Sequence, residues 1–279
     1  MSRITARAVL PSSLPALEPD RPRLEDSAPV PILEARQGGY AAWLETLVHR
    51  AYPFAASYTV ANILSFLVVG IGVVLGLLIT RVVLAIGGLE ATDERLPAWM
   101  ESQRTPFLND ATYWMSQVGA GILIAVVAVT VIYFTFRRRW RIAGFLLTAI
   151  VVEVSTYRLI AGLVARDRPD VVKLDNLNNA HSFPSGHVAA SVAVYCGIGL
   201  LLTSRTHKTW LRVVIWAGVI SIPVLVAISR IYRGEHHPVD VIGGALLGAG
   251  AILVAVLATR VGIVADERRQ ARLAQKGSA

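Results

Sequence analysis

ATYWMSQVGAGILIAVVAVTVIYFTFRRRWR, residues 111–141, holds an apolar run to Phe136 that is long enough to cross a bilayer, and Arg137, Arg138, Arg139 and Arg141 close it. A soluble helix needs a polar face, and this run has none, so the reading is a membrane span with a basic loop at its end. Five more apolar segments accompany it, at roughly 58–80, 143–165, 188–203, 211–229 and 239–259. Composition agrees: 54% of residues are hydrophobic, 16% are charged, and the mean hydropathy is +0.55. That excludes an ordinary soluble domain. The net charge of +8 sits in short clusters between apolar runs, which reads as membrane topology and not as a nucleic-acid surface.

The expected fold is therefore all-α, a six-transmembrane-helix bundle. Arg205 and Lys208 lie between spans four and five, and Arg268, Arg269, Arg272 and Lys276 follow span six. With the cluster after span two, these place both termini in the cytoplasm and the loops 81–110, 166–187 and 230–238 outside. Residues 1–39, with six of the thirteen prolines and no apolar stretch of the secretory-signal kind, read as a disordered cytoplasmic tail. Residues 40–57 form a possible interfacial helix, 58–262 the membrane domain, and 263–279 a basic cytoplasmic tail. In the first outer loop one amphipathic turn is expected around Leu96, Trp99 and Met100, started by Pro97, which would break anything longer. The single Cys196 lies in an apolar run and reads as a small buried hydrophobe.

The outer loops carry the chemistry. Arg166-Asp167-Arg168-Pro169 follows span three, Ser182-Phe183-Pro184-Ser185-Gly186-His187 precedes span four, and Ser229-Arg230 leads to His236 and Asp240 after span five. Asp240 stands one helical turn from His236, where a carboxylate can fix the imidazole tautomer. His187 arrives on a separate loop, so one histidine can attack phosphorus while the other protonates the departing alkoxide. Arg168 and Arg230 offer planar forks for phosphate oxygens. Ser185 and Gly186 offer backbone donors at a helix start, and glycine permits close approach.

These blocks resemble the signature of the type 2 phosphatidic acid phosphatase superfamily, integral-membrane branch: Lys-x6-Arg-Pro, Pro-Ser-Gly-His, and Ser-Arg-x5-His-x3-Asp. The second and third match fully at residues 184–187 and 229–240, the first only at Arg168-Pro169. The resemblance spans roughly residues 58–260. It implies a lipid phosphate phosphatase without metal or other cofactor, with His236 as nucleophile, His187 as acid and then base, and a phosphohistidine intermediate. It implies membrane lipids as surroundings and a lipid phosphate or pyrophosphate as substrate, with polyprenyl pyrophosphate, phosphatidylglycerol phosphate and phosphatidate as candidates, and no nucleic acid. The expected location is the cell membrane, multi-pass, with the site facing the extracytoplasmic side.

One position departs from the signature. Ala161 stands seven residues before Arg168, where the signature has lysine. Arg166 and Arg158 are the neighbouring cations, and Arg166 is the expected phosphate partner because helix side chains lean toward the N-terminus and carry Arg158 away from the outer site. His181 and His237 read as loop or rim residues, His49 and His207 as solvated cytoplasmic residues. Arg233 and Lys173 suit an anionic headgroup or lipid phosphates, and Glu153 with Arg158 suits a structural pair. Two other activities fit the same residues: phosphoryl transfer to an alcohol, and a membrane scaffold whose turnover was weakened by Ala161.

Overall fold

The computed structural model describes residues 30–35, 39–48, 52–86, 88–175 and 181–277. The elements in chain order are α1 (Tyr40–Val48), α2 (Pro53–Leu77, continuing as a π-helical turn over Leu78–Val83), α3 (Leu89–Ser102), α4 (Pro106–Val118) and α5 (Gly121–Phe136). There follow α6 (Trp140–Val164), α7 (Gly186–Ser191, with a π-helical turn over Val192–Cys196), α8 (Gly197–Thr203), α9 (Thr209–Tyr232) and α10 (Pro238–Gly277). Six stretches are long and apolar enough to cross a membrane, in the segments read from sequence: Pro53–Val83, Pro106–Phe136, Trp140–Val164, Gly186–Thr203, Thr209–Tyr232 and Pro238–Gly277. Phe66, Ile124, Val129 and Leu253 lie exposed on the outside of the bundle, as lipid-facing side chains do.

Helix boundaries follow local chemistry. Pro53 and Pro106 open α2 and α4 at positions where a missing N–H costs nothing, and Thr105 Oγ1 accepts from Leu108 N at 3.2 Å. α10 is the axis of the bundle and packs on α2, α6 and α7. Its glycines allow that contact: a Cβ on Gly248 would stand 2.7 Å from Val192 Cβ, and one on Gly244 would overlap the Ser185 carbonyl.

Several expectations change. The last helix runs beyond the membrane domain read to 262 and reaches Gly277, so the basic segment is helical through that residue, and Arg268 meets the buried Glu45 of α1. Within the segment read as a tail, Val30 and Leu33 pack against Ile142 and Phe145, and Ile32 O accepts from Arg260; residues 1–29 and 36–38 lie outside the described residues, as does His49. Pro97 sits inside the 14-residue α3 and does not start it. A prolyl residue removes one helical hydrogen bond, and α3 gains external partners in its place: Asp93, Glu94 and Glu101 all bond to neighbouring loops.

Candidate active site

The motif end of the bundle brings together the loop after α6, the start of α7, the end of α9 and the start of α10. Ser182 is the junction. Its N–H donates to Arg166 O at 2.8 Å and its hydroxyl to Asp167 O at 2.7 Å, which ties the Pro-Ser-Gly-His turn to the Arg-Asp-Arg-Pro segment. The turn from α9 into α10 needs Gly234, whose φ is +76°, and a Cβ there would also crowd Val172 O at 2.9 Å.

His236 is 3% exposed, and its Nδ1 lies 2.8 Å from Ser182 O. A carbonyl oxygen only accepts, so Nδ1 carries the proton and Nε2 keeps its lone pair. The tautomer is thus set by a backbone carbonyl. Asp240, expected in that role, stands 3.8 Å from Nδ1, an ion-pair distance and not a hydrogen bond. Its carboxylate is already taken by Arg166 Nη1 at 2.7 Å and by His237 N and Nδ1 at 2.8 and 3.1 Å. Burial pushes His236 down to about 4, with Arg230 adding to the shift and Asp240 opposing it.

Arg166 is the second correction. Its Nη2 donates to Asp93 Oδ2 at 2.6 Å while Nη1 holds Asp240, so both arms of the fork are committed to carboxylates and not to an open phosphate site. The sequence showed its charge but not these competing acids. His237, read as a rim residue, is 2% exposed and bridges Asp240 to Glu94 Oε1, which is 2.6 Å from Nε2. Burial lowers its basicity, but the two carboxylates outweigh this and raise it. Arg233 likewise turns inward, to Asp175 at 2.6 Å and to Asn109 O at 3.0 Å. Glu153 is buried and Arg158 exposed, and no ion pair joins them among the described residues.

Arg168 Nη1 donates to Glu235 O at 2.7 Å and Oε2 at 2.5 Å. Arg230 is fully buried, and its Nη1 donates to Ser116 Oγ and Asp175 Oδ2 at 2.7 and 2.6 Å. Its Nε and Nη2 have no hydrogen-bond partner, nor has the buried Ser185 Oγ. Ser185 was expected to offer its backbone N–H, but that group donates to Asp240 O at 2.9 Å, so the hydroxyl is what remains. Gly186 is required for a different neighbour: a Cβ there would lie 3.0 Å from the Tyr157 ring of α6. His187 shares the electrostatic field of Arg230, His236, Asp175 and Arg168. Ala161 is buried on α6 and supplies no charge.

Sequence reading did not select Ser116, Asp175, Glu235, Asp93 or Glu94. Only Glu235 had a local signal, its place directly before His236. A polar cavity of about 150 Å³ adjoins the centre, lined by Arg81, Glu94, Arg166, Arg168 and His237. Among the described residues no cluster of three or more His, Cys, Asp or Glu side chains is arranged to hold a metal ion.

Buried donors without partners thus lie beside a histidine whose Nε2 keeps its lone pair, at one end of six helices long and apolar enough to cross a membrane. The chain belongs to the PAP2 superfamily, whose sequence profile matches residues 141–261. It is 30% identical over 168 residues to phosphatidylglycerophosphatase B of Bacillus subtilis, covering 57% of this chain and 79% of that one. It is 38% identical over 129 residues to decaprenylphosphoryl-5-phosphoribose phosphatase of Mycobacterium tuberculosis, covering 43% and 62%, and 31% identical over 147 residues to undecaprenyl-diphosphatase of Sulfolobus acidocaldarius, covering 51% and 66%. The crystal structure of a PAP2-type phosphatidylglycerolphosphate phosphatase from Bacillus subtilis shares the fold with a TM-score of 0.58, at 24% identity over 66% of this chain and 92% of that one. The protein is a multi-pass membrane protein of that superfamily.

Proposed function

We propose that the protein hydrolyses the phosphomonoester or pyrophosphate of a membrane lipid. His236 Nε2 attacks phosphorus, the bond to the lipid oxygen breaks, and His187 delivers a proton to that oxygen. A water deprotonated by His187 then attacks the phosphohistidine, releasing phosphate and restoring His236. Asp240 stabilises the imidazolium electrostatically, while Ser182 O holds the ring. Arg168, Arg230 and the Ser185 hydroxyl hold the phosphate oxygens and offset charge spreading in the transition state.

The observation that carries this reading is the pairing of a proton-bearing Nδ1 on Ser182 O with the unpartnered Nε and Nη2 of Arg230. The named relatives act on lipid phosphates or diphosphates, which supports a lipid substrate. The basic clusters at 137–141 and 268–276 support cytoplasmic termini and an extracytoplasmic site.

The test is phosphate release from a panel of lipid monophosphates and diphosphates in detergent, comparing wild type with His236→Ala. Release by wild type alone is the expected result; equal release by both would end the reading. Adding an alcohol acceptor separates hydrolysis from phosphoryl transfer, because transfer yields a new phosphate ester in place of free phosphate.

A further inference from the structure

Charge counting around the centre leaves a problem that two histidines and two arginines do not solve. Arg168 meets Glu235 Oε2 at 2.5 Å, Arg230 Nη2 lies 3.7 Å from the same oxygen, and Arg230 Nη1 meets Asp175 at 2.6 Å. Arg233 shares Asp175 with Arg230, so three guanidiniums meet two carboxylates and one net positive charge is left, while Ala161 supplies none of the positive charge that the signature's lysine would. An incoming phosphate dianion meets a cradle with a single net positive charge and, in Glu235, an anion close by.

Glu235 is 1% exposed and directly precedes His236. Its Oε2 is taken by Arg168, whereas its Oε1 is buried with no hydrogen-bond partner. A bare buried carboxylate oxygen is costly, and the same atom as O–H becomes a donor that needs an acceptor. Arg230 Nε and Nη2, on the guanidinium beside Glu235, and Ser185 Oγ at the start of α7 are also buried without partners, and all can donate. Such a set of donors suits a multi-acceptor ligand, and a tetrahedral oxyanion is one.

Resting on the phosphatase reading above, we propose that Glu235 is a fourth phosphate-contacting side chain beside Arg168, Arg230 and Ser185, which takes the anion as a neutral carboxylic acid with Oε1–H donating to a phosphate oxygen. Anion binding then consumes one proton: carboxylate, proton and anion become carboxylic acid and bound anion, with no covalent bond made or broken. The charged groups facing Glu235 are Arg230 at the end of α9 and Arg168, Asp175 and Lys173 in the loop between α6 and α7. His236 adjoins it in sequence, and His187 on α7 shares the same guanidiniums. Burial raises the Glu235 acid, and the two arginines reduce that rise without cancelling it. Linkage gives the sign. Above the Glu235 pKa the proton must be captured from solvent, so anion affinity falls about tenfold per pH unit; below it, affinity is flat.

Tungstate is a suitable probe because it stays a dianion across neutral pH. Its inhibition of phosphate release is measured from pH 5.5 to 8.5 for the full chain in detergent, as wild type and as Glu235→Gln, which keeps size and a donor but cannot titrate. The wild-type inhibition constant should rise about tenfold per unit on the alkaline side, while the variant stays flat and binds more tightly there. Parallel profiles overturn the proposal. Proton uptake on tungstate binding to the wild type at pH 8.5, on the alkaline side, from calorimetry in two buffers of different ionisation heat, decides the matter even if the variant does not fold: uptake near one proton supports it, none overturns it. If the wild type releases no phosphate from any lipid but still takes up the proton, the phosphatase reading fails and the Glu235 role stands. Release without uptake is the reverse.

Discussion

Gly244→Ala tests how closely α10 and the Pro-Ser-Gly-His turn must fit. A methyl group at 244 would overlap the Ser185 carbonyl oxygen and stand 3.2 Å from its carbon and 3.3 Å from its Cβ. To regain contact distance the turn must retreat by about 1 Å. Backbone is what moves, because the neighbour is a carbonyl and not a flexible side-chain tip. The Ser185 hydroxyl and His187 then move off the phosphate, while His236 stays with α10. A displacement of that size costs about 100-fold in turnover, or roughly 2.7 kcal/mol of barrier. Overpacking also costs about 1–3 kcal/mol of stability, so a thermal-unfolding measurement accompanies the assay. Gly250→Ala is the control, since its Cβ would sit 3.6 Å from Val68 Cγ1 in ordinary contact on the same helix. Phosphate release at saturating and limiting lipid substrate should fall for Gly244→Ala and hold for Gly250→Ala. A folded Gly244→Ala protein with wild-type kcat and KM would refute the close-fit argument.

Arg166→Ala leaves Asp240 and Asp93 buried without their shared cation, and should cost about 3–5 kcal/mol of stability along with most activity. Arg158→Ala, at an exposed position, should stay within about 0.5 kcal/mol of wild type in the same unfolding assay. The acid limb of kcat/KM should fall near pH 4, because His236 must be neutral to attack and burial lowers it from 6.5 to about 4. The same depressed basicity means the bundle loses stability as pH drops from 6.5 toward 4, since the unfolded chain binds the proton first, and acid unfolding monitored by helical circular dichroism checks this. A chelator should leave turnover unchanged, because the carboxylates nearest the histidines are engaged by Arg166, Arg168, Arg230 and Arg233; phosphate release with and without chelator measures it.

The sequence by itself determined the six apolar helices, the loops that carry chemistry, and the identity of His187, His236, Arg168 and Arg230 as residues that meet at one end. Apolar length and motif spacing are local properties, so they are legible along the chain. Tertiary structure decided which partner each charged group takes. His236 selects Ser182 O across 54 positions, Arg230 selects Ser116 across 114, and His237 selects Glu94 across 143. Arg166 shows why such choices are hidden. Its charge suits a phosphate as well as a carboxylate, and only the approach of α3, which brings Asp93 within 2.6 Å, settles which of them it meets. An ion pair in a buried site depends on distance and desolvation, and neither is a property of residue order.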